Sequence, residues 1–284
     1  MLVGGEIGYW LLRALGKLKS RACSGSAYRN TSKLETLLGS EIWREVAGRK
    51  VIDFGCGFGN DTIEIAEHGA ASVIGLDIRP EVLAVARNAA VAAGVSEQCR
   101  FVNHTSEKAD VIISVDCFEH FDDPAKVLQT MTHLLEPGGC VLAAFGPPWY
   151  HPFGPHLPLF PWAHLIFTES SLMRWRGTFS SDGAKRFREV PGGLNCMTLR
   201  RFEEVVRRSD FRFEHFEAIP IKAARRFHGR LTREFLTSVV RCKLIAKAAT
   251  SEGDVAPVDA LGGRSRHRER GAFADGARAR RQSV

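Results

Sequence analysis

Apolar residues recur along this chain with two periods. From residue 50 onward, short β-branched runs alternate with stretches whose apolar positions fall three and four apart. The changes of period predict strands over 50–55, 72–77, 100–103, 109–115 and 140–145, and helices over 60–68, 81–93 and 124–135. Such alternation implies parallel strands joined by crossover helices, a doubly wound α/β fold. Upstream, Leu11, Leu12, Leu15 and Leu18 mark the apolar side of a helix from Gly8 to Arg21, with Arg13, Lys17, Lys19 and Arg21 interspersed. That segment can pack on the domain or lie in a membrane interface. A second helix is expected from Ser32, its candidate N-cap, to Glu45, with Leu34, Leu37, Leu38 and Ile42 at helical spacing. Downstream, Thr198 to Ser209 reads as a helix with Phe202, Val205 and Val206 inward. An alternating strand runs from Phe211 to Ile221 and a last strand from Ser238 to Ala246. After Thr250 the chain is rich in Gly, Ala, Arg and Ser and loses apolar periodicity, the composition of a disordered tail.

Between the first strand and the next helix lies Val51-Ile52-Asp53-Phe54-Gly55-Cys56-Gly57-Phe58-Gly59. Glycines at alternate positions let the backbone turn sharply after a strand and approach a ligand more closely than a Cβ would permit. Twenty residues on, Val73-Ile74-Gly75-Leu76-Asp77 ends a second strand in a carboxylate, the distance at which such folds place the acid that holds ribose hydroxyls. Together the two features describe a nucleoside-cofactor site.

Asp53-Phe54-Gly55-Cys56-Gly57-Phe58-Gly59 and Asp77 resemble the first motif and acidic loop of the class I S-adenosylmethionine (SAM) dependent methyltransferases. An NAD-binding G-x-G-x-x-G lacks the preceding Asp and places its last glycine one residue further on. The resemblance continues through Asp110 to Asp116, through Glu119-His120-Phe121-Asp122-Asp123-Pro124, and into Leu134 to Gly139, the turn before the fifth strand. It implies SAM as cofactor and a Rossmann-like, mostly parallel seven-stranded sheet whose last two strands form a terminal antiparallel pair. It also implies that Gly55, Cys56, Gly57 and Gly59 border the amino-acid and ribose portions, that Asp77, followed by Ile78, holds the ribose, and that Asp116 borders the cofactor. Asp53 would lie near the methionine ammonium or order the glycine loop; as a residue alone it also reads as a buried acid stabilising the turn. Only five residues separate the third and fourth strands, where a crossover usually needs a dozen or more. The family's usual adenine-binding acid is absent there, so Asn103 or His104 would serve instead.

Asp116-Cys117-Phe118-Glu119-His120 follows the fourth strand, whose carboxyl end borders the cleft in open α/β sheets. By resemblance His120, with Glu119, is the leading candidate for base or acceptor-orienting residue; a histidine capping a short helix is the alternative. The D-x-x-E-H spacing is also similar to a divalent-cation cluster of ubiquinone-pathway O-methyltransferases, with Asp in place of Glu at its first position. The expectation is that no metal is used.

The segment 146–164 holds six of the twelve prolines together with Trp149, Tyr150, Phe153, Phe160 and Trp162. Proline removes donors and fixes φ, so this stretch reads as a rigid substrate lid rather than a solvated linker. His151 and His156 in it are further candidate bases, and with His164 they form no compact zinc pattern. The expected organisation is a helical cover over 1–46 with its second helix at the cofactor mouth, a SAM-binding core over 47–146, a lid over 147–197, completion of the sheet over 198–248, and a disordered basic tail over 249–284.

Charge adds one element. Between Leu165 and Lys247 eighteen Lys and Arg face nine Asp and Glu, so the net +7 belongs to the part after the cofactor domain. An anionic acceptor or peripheral membrane contact fits that side, and solvated surface charge is the alternative. No RNA-binding module or N-P-P-[YF] pattern is present, and no nucleic-acid partner is expected. Seven scattered cysteines without a C-x-x-C pair point to a reducing, cytoplasmic setting. The function expected is methyl transfer from SAM to a small-molecule or lipid-like acceptor at oxygen. The alternatives are an NAD-dependent oxidoreductase on a related fold and a non-catalytic SAM-binding or membrane-associated scaffold.

Overall fold

A computed structural model describes residues 2–16 and 31–247 of the chain. The expected tail after Thr250, and Lys17 to Arg21 of the first expected helix, lie outside the described residues. Seven strands form one sheet: β1 (Lys50–Phe54), β2 (Ser72–Leu76), β3 (Cys99–Val102), β4 (Ala109–Val115), β5 (Leu135–Phe145), β6 (Phe211–Pro220) and β7 (Thr237–Ala246). Their order is β3-β2-β1-β4-β5-β7-β6. The first five pair in parallel, and β7 runs antiparallel to both β5 and β6. The chain winds outward from β1 in one direction through β2 and β3 and in the other through β4 and β5. The crevice at the carboxyl ends of β1 and β4 is therefore the topological switch point, where open α/β sheets bind ligands.

Three helices connect the parallel strands: α4 (Asn60–Glu67), α5 (Pro80–Ala92) and α6 (Pro124–Leu134). The β3–β4 connection has none. Cys99 is level with Val73, Val73 with Val51, and Val51 with Val111, so the chain leaves β3 near the level of Ser114 and re-enters the sheet at Ala109. It must descend about 16 Å and cross about 14 Å, a diagonal of about 22 Å. The seven steps from Val102 to Ala109 reach at most about 25 Å. A nearly extended strap spans that distance without a helix, with Asn103 and His104 on its exposed outer part.

The second expected helix is two helices, α2 (Lys33–Leu38) and α3 (Ile42–Val46). Ser32 caps α2 by accepting the Glu35 N–H at 2.9 Å, and Gly39, at φ 89°, ends it. The expected turn before the fifth strand is a bulge inside it: Ala109 pairs with Leu135 but Val111 pairs with Cys140, and Gly138 takes φ 84° in the extra residues.

Alternation along the buried strands sends Val51 and Ile113 to one face of the sheet and Ile52 and Ile112 to the other. The first face is closed by Leu34, Ile42, Ile65 and Leu83; the second by Leu128, Phe118, Phe145 and Phe202, the last from α9 (Leu199–Arg208). A third apolar cluster lies in the Pro-rich region and its continuation, around α7 (Ala163–Ile166) and α8 (Glu169–Arg176). Leu157, Leu159, Phe167, Leu172, Trp175 and Phe187 pack there with Leu12 of α1 (Gly5–Leu15). The 1–46 cover is thus not one unit. Helix α1 packs with the 147–197 segment, tied by the Val3–Phe167 bridge and by Arg174 stacked over Tyr9 at 4.0 Å, whereas α2 packs on β5 and β7.

Candidate active site

The glycine turn leaves β1 at the switch point. A Cβ on Gly55 would stand 2.4 Å from Cys117 Sγ, so glycine there lets the loops after β1 and β4 touch. Gly57 has φ 52°, and a Cβ on it would meet nothing closer than Arg79 at 3.8 Å. Its Cβ direction opens into the crevice, where a cofactor would approach bare backbone. Cys56 turns its thiol inward and gives its N–H to Leu76 O at 3.0 Å. Gly59, in the left-handed region, opens α4.

Asp53 is buried below this turn and accepts the Thr62 hydroxyl at 2.6 Å. Burial, and then the charge of Asp61, raise its pKa above the ordinary carboxylate range. Its bond ties the end of β1 to α4. Asp77 is 7% exposed. Its Oδ1 accepts the Arg79 backbone N–H and Nε–H, and its Oδ2 accepts the Gly57 N–H and an Arg79 Nη2–H, each at 3.0 Å. Burial alone would raise its pKa; the Arg79 bonds outweigh burial and hold it below the ordinary value. Ile78 stands 87% exposed beside it. Asp116 takes φ 53° and its Oδ2 meets Lys33 Nζ at 3.2 Å, while the same ammonium meets Asp61 at 3.2 Å. Burial opposes the charge on Lys33, but Asp61 and Asp116 outweigh it and raise its pKa. Lys33 thus ties α2 to the mouth of the crevice. Neither Lys33 nor Arg79 was legible as a site residue, since nothing in a lone Lys thirty residues upstream marks it.

On the other side of the crevice, residues 118–121 are gripped by Asn195, near the end of the 147–197 segment. Asn195 Nδ2 donates to Phe118 O and Phe121 O at 2.7 Å each, and its N–H donates to Glu119 O at 2.9 Å. His120 Nδ1 lies 2.5 Å from Gly193 O. Because a carbonyl can only accept, Nδ1 carries a proton, and in the neutral form of the ring the lone pair is on Nε2. The His156 ring sits edge-on, centroid to centroid 6.0 Å. His151 is wired the opposite way: its Nδ1 accepts the Phe153 N–H at 3.1 Å, which leaves Nε2 as the protonated nitrogen. Burial lowers the pKa of both His151 and His156 to about 4. Glu119 is 3% exposed; Oε1 accepts the Gly146 N–H at 3.3 Å and Oε2 has no partner. Asp116, Glu119 and His120 therefore face three different partners, and among the described residues no group of three or more His, Cys, Asp or Glu is placed to hold a metal ion.

A family model described as a methyltransferase domain matches residues 7–215, well over half the chain. The chain belongs to this methyltransferase-domain family. SAM is the cofactor its glycine turn and Asp77 fit, and the match sets aside the NAD-dependent oxidoreductase. The ubiquinone biosynthesis O-methyltransferase of Cronobacter sakazakii is 39% identical over 102 residues, which cover 33% of this chain and 41% of that protein. The protein of the same name from Pseudomonas aeruginosa is 38% identical over 104 residues, 34% of this chain and 44% of that one. The matched region spans under half the length of these curated relatives. Among solved structures, a SAM-dependent methyltransferase from Mesorhizobium loti is 23% identical over 72% of this chain and 95% of that one, with a TM-score of 0.48. One from Thiobacillus denitrificans, in complex with S-adenosyl-L-homocysteine, is 20% identical over 73% and 90%, with a TM-score of 0.44. No helix among the described residues of this methyltransferase domain is long and apolar enough to cross a membrane.

Glu119 gives the domain a characteristic response to pH. Burial pushes its carboxyl up to about 8 from an ordinary 4.5, with the charge of Asp116 adding to the effect. Across that window the folded chain holds a proton that the unfolded chain has released. Stability contributed by this group is therefore complete below the window and lost as pH rises through it. Glu119→Gln, which cannot ionise, is expected to show a flatter decline in unfolding free energy over the same range and to be the more stable protein above it. Denaturant unfolding of both proteins at several pH values measures this; parallel pH profiles would show that Glu119 is not the titrating group.

Proposed function

We propose that this chain is a SAM-dependent methyltransferase that methylates a hydroxyl oxygen on a small, lipid-like acceptor. The observation that carries the proposal is the juxtaposition at one switch point of a glycine turn backed by Asp77 and a histidine whose Nδ1 is fixed on Gly193 O. SAM supplies an electrophilic methyl group. Gly57 offers close backbone approach and Asp77 offers its carboxylate to a ribose diol. An ionised carboxylate has about four acceptor directions. On Asp77 all of them are occupied, two by the Arg79 side chain, so ribose hydroxyls take the places of those two donors.

His120 Nε2, with its lone pair free, accepts the proton of the acceptor hydroxyl as the oxygen attacks. The neutral His156 beside it and the apolar interior of the lid keep water from competing for that base. The O-methyltransferase names of relatives matching a third of the chain support oxygen as the methylated atom and a lipid-like acceptor. Asn103 and Ile78 are proposed to border adenine, both being exposed at the crevice end of their strands.

The test is incubation of the purified chain with methyl-labelled SAM and a panel of phenols bearing apolar chains, with the methylated atom located by mass spectrometry. Label at oxygen, together with thermal stabilisation by SAM but not by NAD, is expected. Transfer to nitrogen or carbon would replace the oxygen reading. Binding of SAM without transfer to any acceptor would favour the non-catalytic scaffold.

A further inference from the structure

The connection between β6 and β7, residues 221–236, is built with two unlike sides. Its polar groups bond to one another and to the start of β7: Thr232 Oγ1 accepts the Gly229 N–H at 2.9 Å, Thr237 Oγ1 of β7 donates to Arg233 O at 2.6 Å, and His228 Nε2 meets Thr237 Oγ1 at 3.0 Å. Its one acid, Glu234, turns inward and accepts the Leu199 and Arg200 N–H groups at the start of α9, at 3.2 and 2.8 Å. Arg233 is spent on Glu203 at 2.7 Å. Outward, Lys222, Arg225, Arg226 and Arg230 are exposed, and none of them enters an ion pair among the described residues. Lys222, Ala223, Arg225 and Arg226 line a shallow hollow. Between these cations stand apolar side chains held in solvent, Phe227 at 60% and Leu231 at 93% exposed.

We propose that this connection is a docking element for an anionic phospholipid bilayer. The combination is what an interface of that kind accepts: cations at headgroup phosphates and aliphatic or aromatic side chains at the acyl boundary. A nucleic acid would satisfy the cations and could stack on Phe227, but it offers no place for Leu231.

The topology puts the element at the working edge of the sheet. Val240, near the start of β7, pairs with Phe145 at the end of β5, so the 221–236 connection emerges where the parallel strands finish and the crevice opens. Phe235 packs on Tyr150 of the lid, centroids 5.4 Å apart, and the Tyr150 carbonyl holds the Trp162 indole N–H at 3.0 Å. A bilayer docked here would face the lid, which extends the proposed lipid-like acceptor to one delivered from a membrane surface. This inference rests on that reading only for its biological use, because docking is read by vesicle binding and not by methyl transfer.

The experiment is flotation of the full chain with phosphatidylcholine vesicles, with and without added phosphatidylglycerol. Binding to the anionic vesicles that weakens as salt rises is expected. The double variant Arg225→Ala with Arg226→Ala should partition at least about tenfold less. Leu231→Asp should also lose vesicle binding while its retention on heparin, a soluble polyanion, stays close to wild type. SAM-induced thermal stabilisation and transfer to a water-soluble acceptor should be unchanged in all variants. Wild-type partition by the double variant, wild-type vesicle binding by Leu231→Asp, or binding of the wild type to heparin but not to anionic vesicles would each overturn the proposal. Absence of methyl transfer by the wild type would count against the enzymatic reading and leave the docking result standing.

Discussion

Replacing His120 by Gln is expected to leave SAM affinity and melting temperature near wild type and to lower turnover by about 10²-fold or more. The three hydrogen bonds from Asn195 to the backbone of residues 118, 119 and 121 do not involve the residue 120 side chain, so the loop keeps its place in the variant. What the substitution removes is a nitrogen lone pair that can take a proton. Single-turnover rates with saturating SAM separate the chemical step from binding. The pH profile carries a second readout: a general base makes the rate rise with pH to a plateau, and that limb should vanish in the variant. A turnover within a few-fold of wild type would move the base elsewhere. His151 would then be a poor successor, since its Nδ1 is already an acceptor for the Phe153 N–H and its Nε2 carries the proton. His156 Nε2, buried without a partner, would be the next to replace.

The second large effect is on the cofactor. Asp77→Ala should weaken SAM by at least about tenfold, since each lost charge-assisted hydrogen bond is worth about 1.5–3 kcal/mol. Part of that loss is indirect, because Asp77 also anchors the Gly57 N–H at 3.0 Å and so shapes the glycine turn. Arg79→Ala separates the two contributions. It leaves the Gly57 anchor and the carboxylate in place but frees the two acceptor directions that the guanidinium occupies, so SAM should bind up to about fivefold more tightly, the range of a partly exposed ion pair. Calorimetry on both variants tests the pair of expectations. Unchanged affinity in a folded Asp77→Ala protein would end its ribose role, and weaker binding in Arg79→Ala would mean that Arg79 holds the cofactor rather than competing with it.

Much of this protein was legible in its residues. Short continuous apolar runs and period-3.6 stripes located the seven strands and the crossover helices, all but the start of β5 to within one residue, because central strands buried on both faces and helices with one buried stripe restrict composition along their whole length. The D-x-G-x-G-x-G turn and the acid after β2 were legible for a related reason. Backbone that must turn left-handed at Gly55 and Gly57 after a strand restricts composition locally, and local restrictions are visible in sequence. Ser32 as a cap and the inward Phe202 and Val206 belong to the same class.

What only the tertiary structure decided are relations between distant segments. The short β3–β4 connection reads as a defect until the register shows that an extended strap reaches across. Gly39, breaking the second helix, is one local signal that the apolar spacing overrode. The proton positions of His120 and His151 depend on single backbone groups, Gly193 O and Phe153 N–H, and no feature of a histidine's neighbours in sequence reveals which ring nitrogen will be held. Lys33 meets Asp61 and Asp116 from segments 28 and 83 residues away, and Asn195 grips residues 118–121 across a similar gap. Helix α1 packed on the 147–197 segment rather than on the sheet because Leu12 found its buried site among Leu157, Phe167 and Leu172. An amphipathic pattern specifies that a face will be buried but carries no information about what will bury it, and that choice is made only when the whole chain packs.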